Sequence, residues 1–137
     1  MINSQNTQKF YINGQWCNPI SSQVLDVINP ANEEIVSQIT LGNEEDLNNA
    51  VEAAKNSFDS WSVSSVDERL KLLNKLRDIY QKRFDEMTIA ITTEMGCPKD
   101  FSSNAQTQSG LDHLNDFIDQ LKNFKFENKF NEKSNNY

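Results

Sequence analysis

Apolar and polar residues alternate along the first forty positions and then change period. In KFYINGQW, residues 9–16, the alternation is centred on Asn13-Gly14. Asn-Gly is a strong two-residue turn signal, because both residues accept positive φ. This stretch predicts a short hairpin or two strand fragments. SSQVLDVINP, residues 21–30, predicts a strand through Val24, Leu25, Val27 and Ile28. Asn29-Pro30 stops it, since proline cannot donate to a ladder. EEIVSQIT, residues 33–40, resumes with β-branched residues, so NPANEE reads as a turn between antiparallel strands.

Helical spacing begins after Gly42. Asn43 can cap a helix, with Glu44, Glu45 and Asp46 in its positive first turn. Leu47, Ala50, Val51, Ala54 and Phe58 follow on one face, with Trp61 just beyond. Ser65 and Glu68 form a capping box that opens a second helix. Its stripe runs through Leu73, Leu76, Tyr80, Phe84, Met87 and Ile91, longer than an ordinary globular helix. A break near Phe84-Asp85 is expected, with Asp85 as a new cap. Met95-Gly96 ends this run, because glycine takes the left-handed C-cap and Pro98 forbids continuation. A third helix is expected over residues 101–123, turning Leu111, Leu114, Phe117, Ile118 and Leu121 inward. FKFENKF, residues 124–130, alternates like an edge strand. Residues 1–8 read as a disordered N-terminus and residues 131–137 as a polar tail.

Charge narrows the function classes. The chain has 137 residues, 13 Lys plus Arg, 20 Asp plus Glu and a net charge of -7. That balance argues against nucleic-acid or anionic-membrane partners, which need clustered cations. No apolar run approaches the ~20 residues of a membrane span. MINSQNTQKF lacks the apolar core of a secretory signal, so a cytoplasmic location with reduced thiols is expected.

Candidate chemistry is sparse. Cys97, in EMGCP, follows a helix C-terminus, where the dipole opposes a thiolate. The one histidine, His113, supplies no local Cys-His pair and no metal-ligand spacing. Cys17 beside Trp16 reads as packing. Gly14, Gly42, Gly96 and Gly110 are too dispersed for a phosphate-binding loop. Catalytic residues, cofactor-binding residues and metal ligands are therefore each assigned as none.

The order of elements adds what single residues do not. FYINGQW, VINPANEEIVSQI, NEEDLNNAVEAAKNSFDSW, the ERLKLL helix and EMGCP together resemble the N-terminal part of the NAD(P)-dependent aldehyde dehydrogenase family. The resemblance covers residues 10–130, and the helix leading into FKFE resembles one branch of the family. It implies an incomplete α/β fold: N-terminal strands plus about three helices of a Rossmann-like architecture. Full-length members are expected to be roughly three times this length and to form homo-oligomers.

The resemblance also implies what is missing. The family's P-W-N segment, ribose-binding lysine, glycine-rich turn, general-base glutamate and G-Q-x-C nucleophile have no match in these residues. Cys97 occupies a variable position of E-M-G-x-P and does not match the nucleophile. The resemblance implies that a monovalent-cation site found in some members would map onto the backbone of Val27 and Ile28 and onto Glu94, against the favoured reading of Glu94 as a surface acid at a helix C-terminus. The implied parent reaction is oxidation of an aldehyde to an acid, with hydride passing to NAD or NADP. The chain is then expected to be an inactive fragment whose uncovered helix faces, such as Leu47-Ala50-Ala54 and Leu73-Leu76-Tyr80, associate or aggregate. The competing expectation is a stand-alone module that binds a full-length family member.

Overall fold

The computed structural model describes residues 6–127. Strands β1 (Phe10–Ile12) and β2 (Gln15–Cys17) form an antiparallel hairpin that pairs Phe10 with Cys17 and Ile12 with Gln15. Asn13 and Gly14 carry φ of 52° and 76°, the turn conformation that Asn-Gly favours. Tyr11 and Trp16 meet edge to face across the hairpin, 5.1 Å between ring centroids. A second antiparallel pair joins β3 (Val24–Ile28) to β4 (Ile35–Thr40), with an irregularity between Val27 and Ile28. Inside the connecting turn, Asn29 Oδ1 accepts from the Ala31 amide at 2.9 Å. The two pairs are separate two-stranded sheets. Thr40 Oγ1 donates to Gln8 O at 3.2 Å, and Lys9 N donates to Asn6 O at 3.0 Å. Residues 6–8 form a turn; residues 1–5, the rest of the segment expected to be disordered, lie outside the described residues.

Helix α1 (Glu44–Ser62) starts at the Asn43 cap, whose side chain accepts from the Asp46 amide at 2.9 Å. Helix α2 (Val66–Lys82) starts at Ser65 with the expected capping box to Glu68. The long stripe breaks at Arg83, and α3 (Phe84–Met95) follows at once. Asp85 is not the cap: it lies inside the first turn of α3, which has no side-chain cap. Arg83 instead pairs with Glu86 at 2.9 Å. A single turn, α4 (Lys99–Phe101), runs into a π-helical segment (Ser102–Thr107) and then α5 (Gln108–Lys122).

Helix α5 packs on α2, and the π-helical segment packs on α3. Ile118 of α5 is 3% exposed and is the one buried hydrophobic residue among those described. Leu111, Leu114 and Leu121 are half-buried as expected, but Phe117 is 67% exposed. It lies one residue off the buried stripe, on a side of α5 that α2 does not cover. Residues 124–127 form no strand, and no strand beside them offers a ladder. Phe126 instead lies under the Arg69 guanidinium at 4.8 Å, with Phe124 edge-on to it at 4.9 Å. The rest of that predicted strand, and the polar tail, lie outside the described residues.

The accessible surface is 11356 Å², about 4,000 Å² more than a compact monomer of this mass exposes. Twenty-four large hydrophobic residues are exposed among those described. The hairpins and helices have their expected local forms, but most of their apolar faces meet no second layer.

Candidate functional site

The EMGCP corner is where sequence elements distant in the chain meet. Gly96 ends α3 in the left-handed conformation, φ 64°, and its amide donates to Thr92 O at 3.0 Å. A Cβ on Gly96 would stand 2.7 Å from Ala31 N and 2.8 Å from Pro30 Cγ. The end of α3 therefore rests on the Asn29-Pro30-Ala31 turn, with no room for a side chain. The turn that follows Val27 and Ile28 is brought to Gly96, two residues after Glu94. Glu94 itself is exposed, and the last turn of α3 has no basic residue to offset the dipole. Among the described residues no group of three or more His, Cys, Asp or Glu could hold a metal ion.

Cys97 is half-buried, and its Sγ lies 3.0 Å from Ser102 Oγ. Its partner is a neutral hydroxyl, not a base. His113 is exposed on α5. Both cysteines are free, and Cys17 Sγ makes a long contact with Gln15 O at 3.8 Å. Among the described residues, the contacts of the two sulfurs are a carbonyl for Cys17 and a hydroxyl for Cys97.

Cys97 is instead the end of a hydroxyl ladder that the sequence did not announce. Thr92 Oγ1 donates to Ser102 Oγ at 2.7 Å, and Thr88 Oγ1 donates to Thr107 Oγ1 at 3.0 Å. Tyr80 Oη donates to Thr107 O at 3.0 Å. Burial of Tyr80 pushes its phenol above the usual range. Ser102 and Thr107 are fully buried, and Thr88 nearly so. Thr88 and Thr92 share a face of α3 by their four-residue spacing. Ser102 and Thr107, five apart, both face α3 because the π-helical turn is wider than an α turn. That five-residue hydroxyl spacing is the one signal the sequence held.

Asp46 is the second group that sequence reasoning undervalued. Beyond the first-turn role, its carboxylate accepts from Ile20 N at 2.9 Å, Ser21 N at 3.4 Å and Asn43 N at 3.0 Å. The bonds from Ile20 and Asn43 chiefly hold it below the usual carboxylate range, against the opposing effect of desolvation. It pins the segment after β2 to the start of α1.

An open groove of about 690 Å³ runs beside β3 and β4, lined by Gln8, Lys9, Ser21, Val24, Ser37 and Thr40 among others. It contains no paired carboxylates, thiol or glycine loop. The four glycines lie on separate segments of the fold. The bonds and close contacts of Asp46 and Gly96 fix backbone corners.

The sequence profile of the Aldehyde dehydrogenase family matches residues 16–137. This chain belongs to the aldehyde dehydrogenase family. A Staphylococcus epidermidis protein assigned to the aldehyde dehydrogenases is 45% identical over 123 residues, covering 90% of this chain and 26% of that protein. A Pseudomonas protein named 3-succinoylsemialdehyde-pyridine dehydrogenase is 41% identical over 121 residues, covering 88% of this chain and 25% of that protein. The crystal structure of an aldehyde dehydrogenase from Bartonella henselae superposes with a TM-score of 0.89 at 41% identity, over 95% of this chain and 27% of that one. Aldehyde dehydrogenase C of Pseudomonas syringae, a C291A mutant solved with NAD+ and octanal, gives 0.90 at 30% identity, over 95% and 27%.

The chain thus spans about a quarter of its relatives' length, less than the third expected from sequence. It has the length and fold of a fragment of an aldehyde dehydrogenase. These relatives lend no support to the stand-alone module. No helix among the described residues is long and apolar enough to cross a membrane.

Proposed function

We propose that this chain is the N-terminal scaffold of a cytoplasmic NAD-dependent aldehyde dehydrogenase and oxidises no aldehyde by itself. Its own residues hold corners: Asp46 fixes the hairpin to α1, and Gly96 seats α3 on the Asn29-Pro30-Ala31 turn. The observation that carries this reading is the pairing of a fold match of 0.89–0.90 with twenty-four uncovered large hydrophobic residues among those described. A segment with those faces is built to be covered. The NAD+ in the Pseudomonas syringae structure supports NAD as the complete protein's cofactor. The aldehyde it oxidises, and assembly into homo-oligomers, belong to the complete protein.

The test has two arms. The purified 137-residue chain, mixed with NAD+ and octanal, is expected to show no absorbance gain at the NADH band; turnover would overturn the reading. A chimera joining it to the remainder of the Staphylococcus epidermidis relative is expected to reduce NAD+ with an aldehyde that the intact relative oxidises. A folded but inactive chimera would also overturn it.

A further inference from the structure

The helical run from Lys99 to Lys122 holds one residue more than its buried side needs. An α-helix turns about 100° per residue. Carried unbroken in that register, the run would set Ser102 about 140° from Thr107 and at least about 100° from Leu111, Leu114, Ile118 and Leu121. Yet Ser102 and Thr107 are both fully buried, and both are bonded to α3. With one residue fewer between them, all six would fall within an arc of about 80°, inside an ordinary buried stripe. The π-helical segment absorbs the extra residue: the Gln108 amide reaches back five residues to Ser103 O.

Side-chain bonds hold that segment open. A π-helical turn is rare, so its register needs support from outside the helix. Thr88 and Thr92, four apart on α3, meet Thr107 and Ser102, five apart, at 3.0 and 2.7 Å. In an α register one of these hydroxyls would turn away and leave a buried group without its bond. The two ends are not held alike. Thr107 is gripped from two helices, by Thr88 of α3 and by Tyr80 of α2, whose Oη donates to Thr107 O at 3.0 Å. Gly110 makes room for that phenol, since a Cβ there would overlap Tyr80 Oη. Ser102 is held to α3 by Thr92; its other contacts, Cys97 Sγ at 3.0 Å and Pro98 O at 3.4 Å, belong to the corner just before it. Asn104, Ala105 and Gln106, between the two ends, are exposed.

We propose that Ser102–Thr107 is a two-register device: a single stored residue, locked in the π register by the Thr92–Ser102 pair and anchored at Thr107. When that pair opens, the α register extends from Thr107 back toward Pro98, and Ser102 turns off α3. Cys97 and Pro98, which meet Ser102, move with it. The device couples the corner that seats on the Asn29-Pro30-Ala31 turn to the entry of α5. It stands independently of the family reading.

Two measurements on the 137-residue chain test this. Deletion of Ala105 removes the stored residue, and the helical circular-dichroism signal and its urea midpoint are expected to be kept or raised. Deletion of Asp116, also exposed, is the control: it turns Ile118 and Leu121 about 100° from Leu111 and Leu114 and is expected to lower the midpoint. Equal losses from the two deletions overturn the stored residue. The second measurement is the alkylation rate of Cys97, followed by peptide mass. Thr92→Val opens the lock and is expected to raise that rate about tenfold, because local opening sets exposure of a half-buried thiol. In the chain lacking Ala105 there is no second register to enter, so Thr92→Val is expected to leave the rate within about twofold. Acceleration of the same size with and without Ala105 would mean simple loosening and would overturn the device. No acceleration in either background would overturn it as well.

Discussion

Asp46 shows how one side chain can hold two segments. It closes the capping box of α1 and accepts two amides from beyond β2. Because those bonds lower its folded pKa, their stabilisation is full above the unfolded value, about 3.9. It is lost as pH falls through the lower folded value. Glu68, bonded to the Ser65 amide and hydroxyl, behaves with the same sign. Acid titration followed by the Ile20 and Ser21 amide resonances is expected to give a midpoint below 3.8, the ordinary value. A midpoint at or above it would remove the carboxylate from this role. Asp46→Asn is expected to abolish that titration and speed hydrogen exchange at both amides. The cap itself was legible from Asn43 and the acidic first turn. The contact with Ile20, twenty-six residues away, was not, because no local pattern encodes a meeting between distant segments.

At the scale of elements, local signals and packing separate cleanly. The Asn13-Gly14 turn, the proline-stopped strand and the two caps follow from backbone preferences within four residues, and each has its expected form. The strand over residues 124–127 failed because alternation alone cannot supply a neighbour to pair with. Gly14 and Gly96 test the difference. Both have positive φ, so alanine at either costs roughly 1–2 kcal/mol in backbone conformation. A Cβ at Gly14 meets nothing within 4 Å, whereas at Gly96 it overlaps the Ala31 backbone. Gly96→Ala is therefore expected to lower the midpoint of helix loss in urea further than Gly14→Ala, by a margin of at least about 1 kcal/mol. Equal effects would mean that α3 does not rest on that turn. In the hydroxyl ladder, Thr88→Val leaves the buried Thr107 hydroxyl without that partner. A loss of about 1–3 kcal/mol is expected in the same assay.

For the whole molecule, stability is limited by what the chain has available to bury. The slope of stability against denaturant scales with surface exposed on unfolding. With 11356 Å² already exposed, that slope is expected to be about three quarters of the value for a compact chain of equal mass. Circular dichroism in urea measures it directly, and a slope typical of a closed domain would show that the faces are covered in solution. The same faces are expected to bind a hydrophobic dye, with Leu47→Lys and Phe58→Lys lowering the signal. Persistence of full dye binding in the double variant would place the open surface elsewhere.

The sequence by itself determined the hairpins, the helix starts and stops, and the family. Those are matters of short-range backbone preference and of residue order, which a linear chain carries in full. Only the tertiary structure decided that α3 seats on the Asn29-Pro30-Ala31 turn, that Asp46 reaches Ile20, and that Cys97 meets the Ser102 hydroxyl. It also decided which apolar stripes are covered. Periodicity marks a face as fit for burial in the same way whether a partner is present or not. The stripes of α1 and α5 read alike in sequence, and only packing leaves Phe58 open while Ile118 is closed.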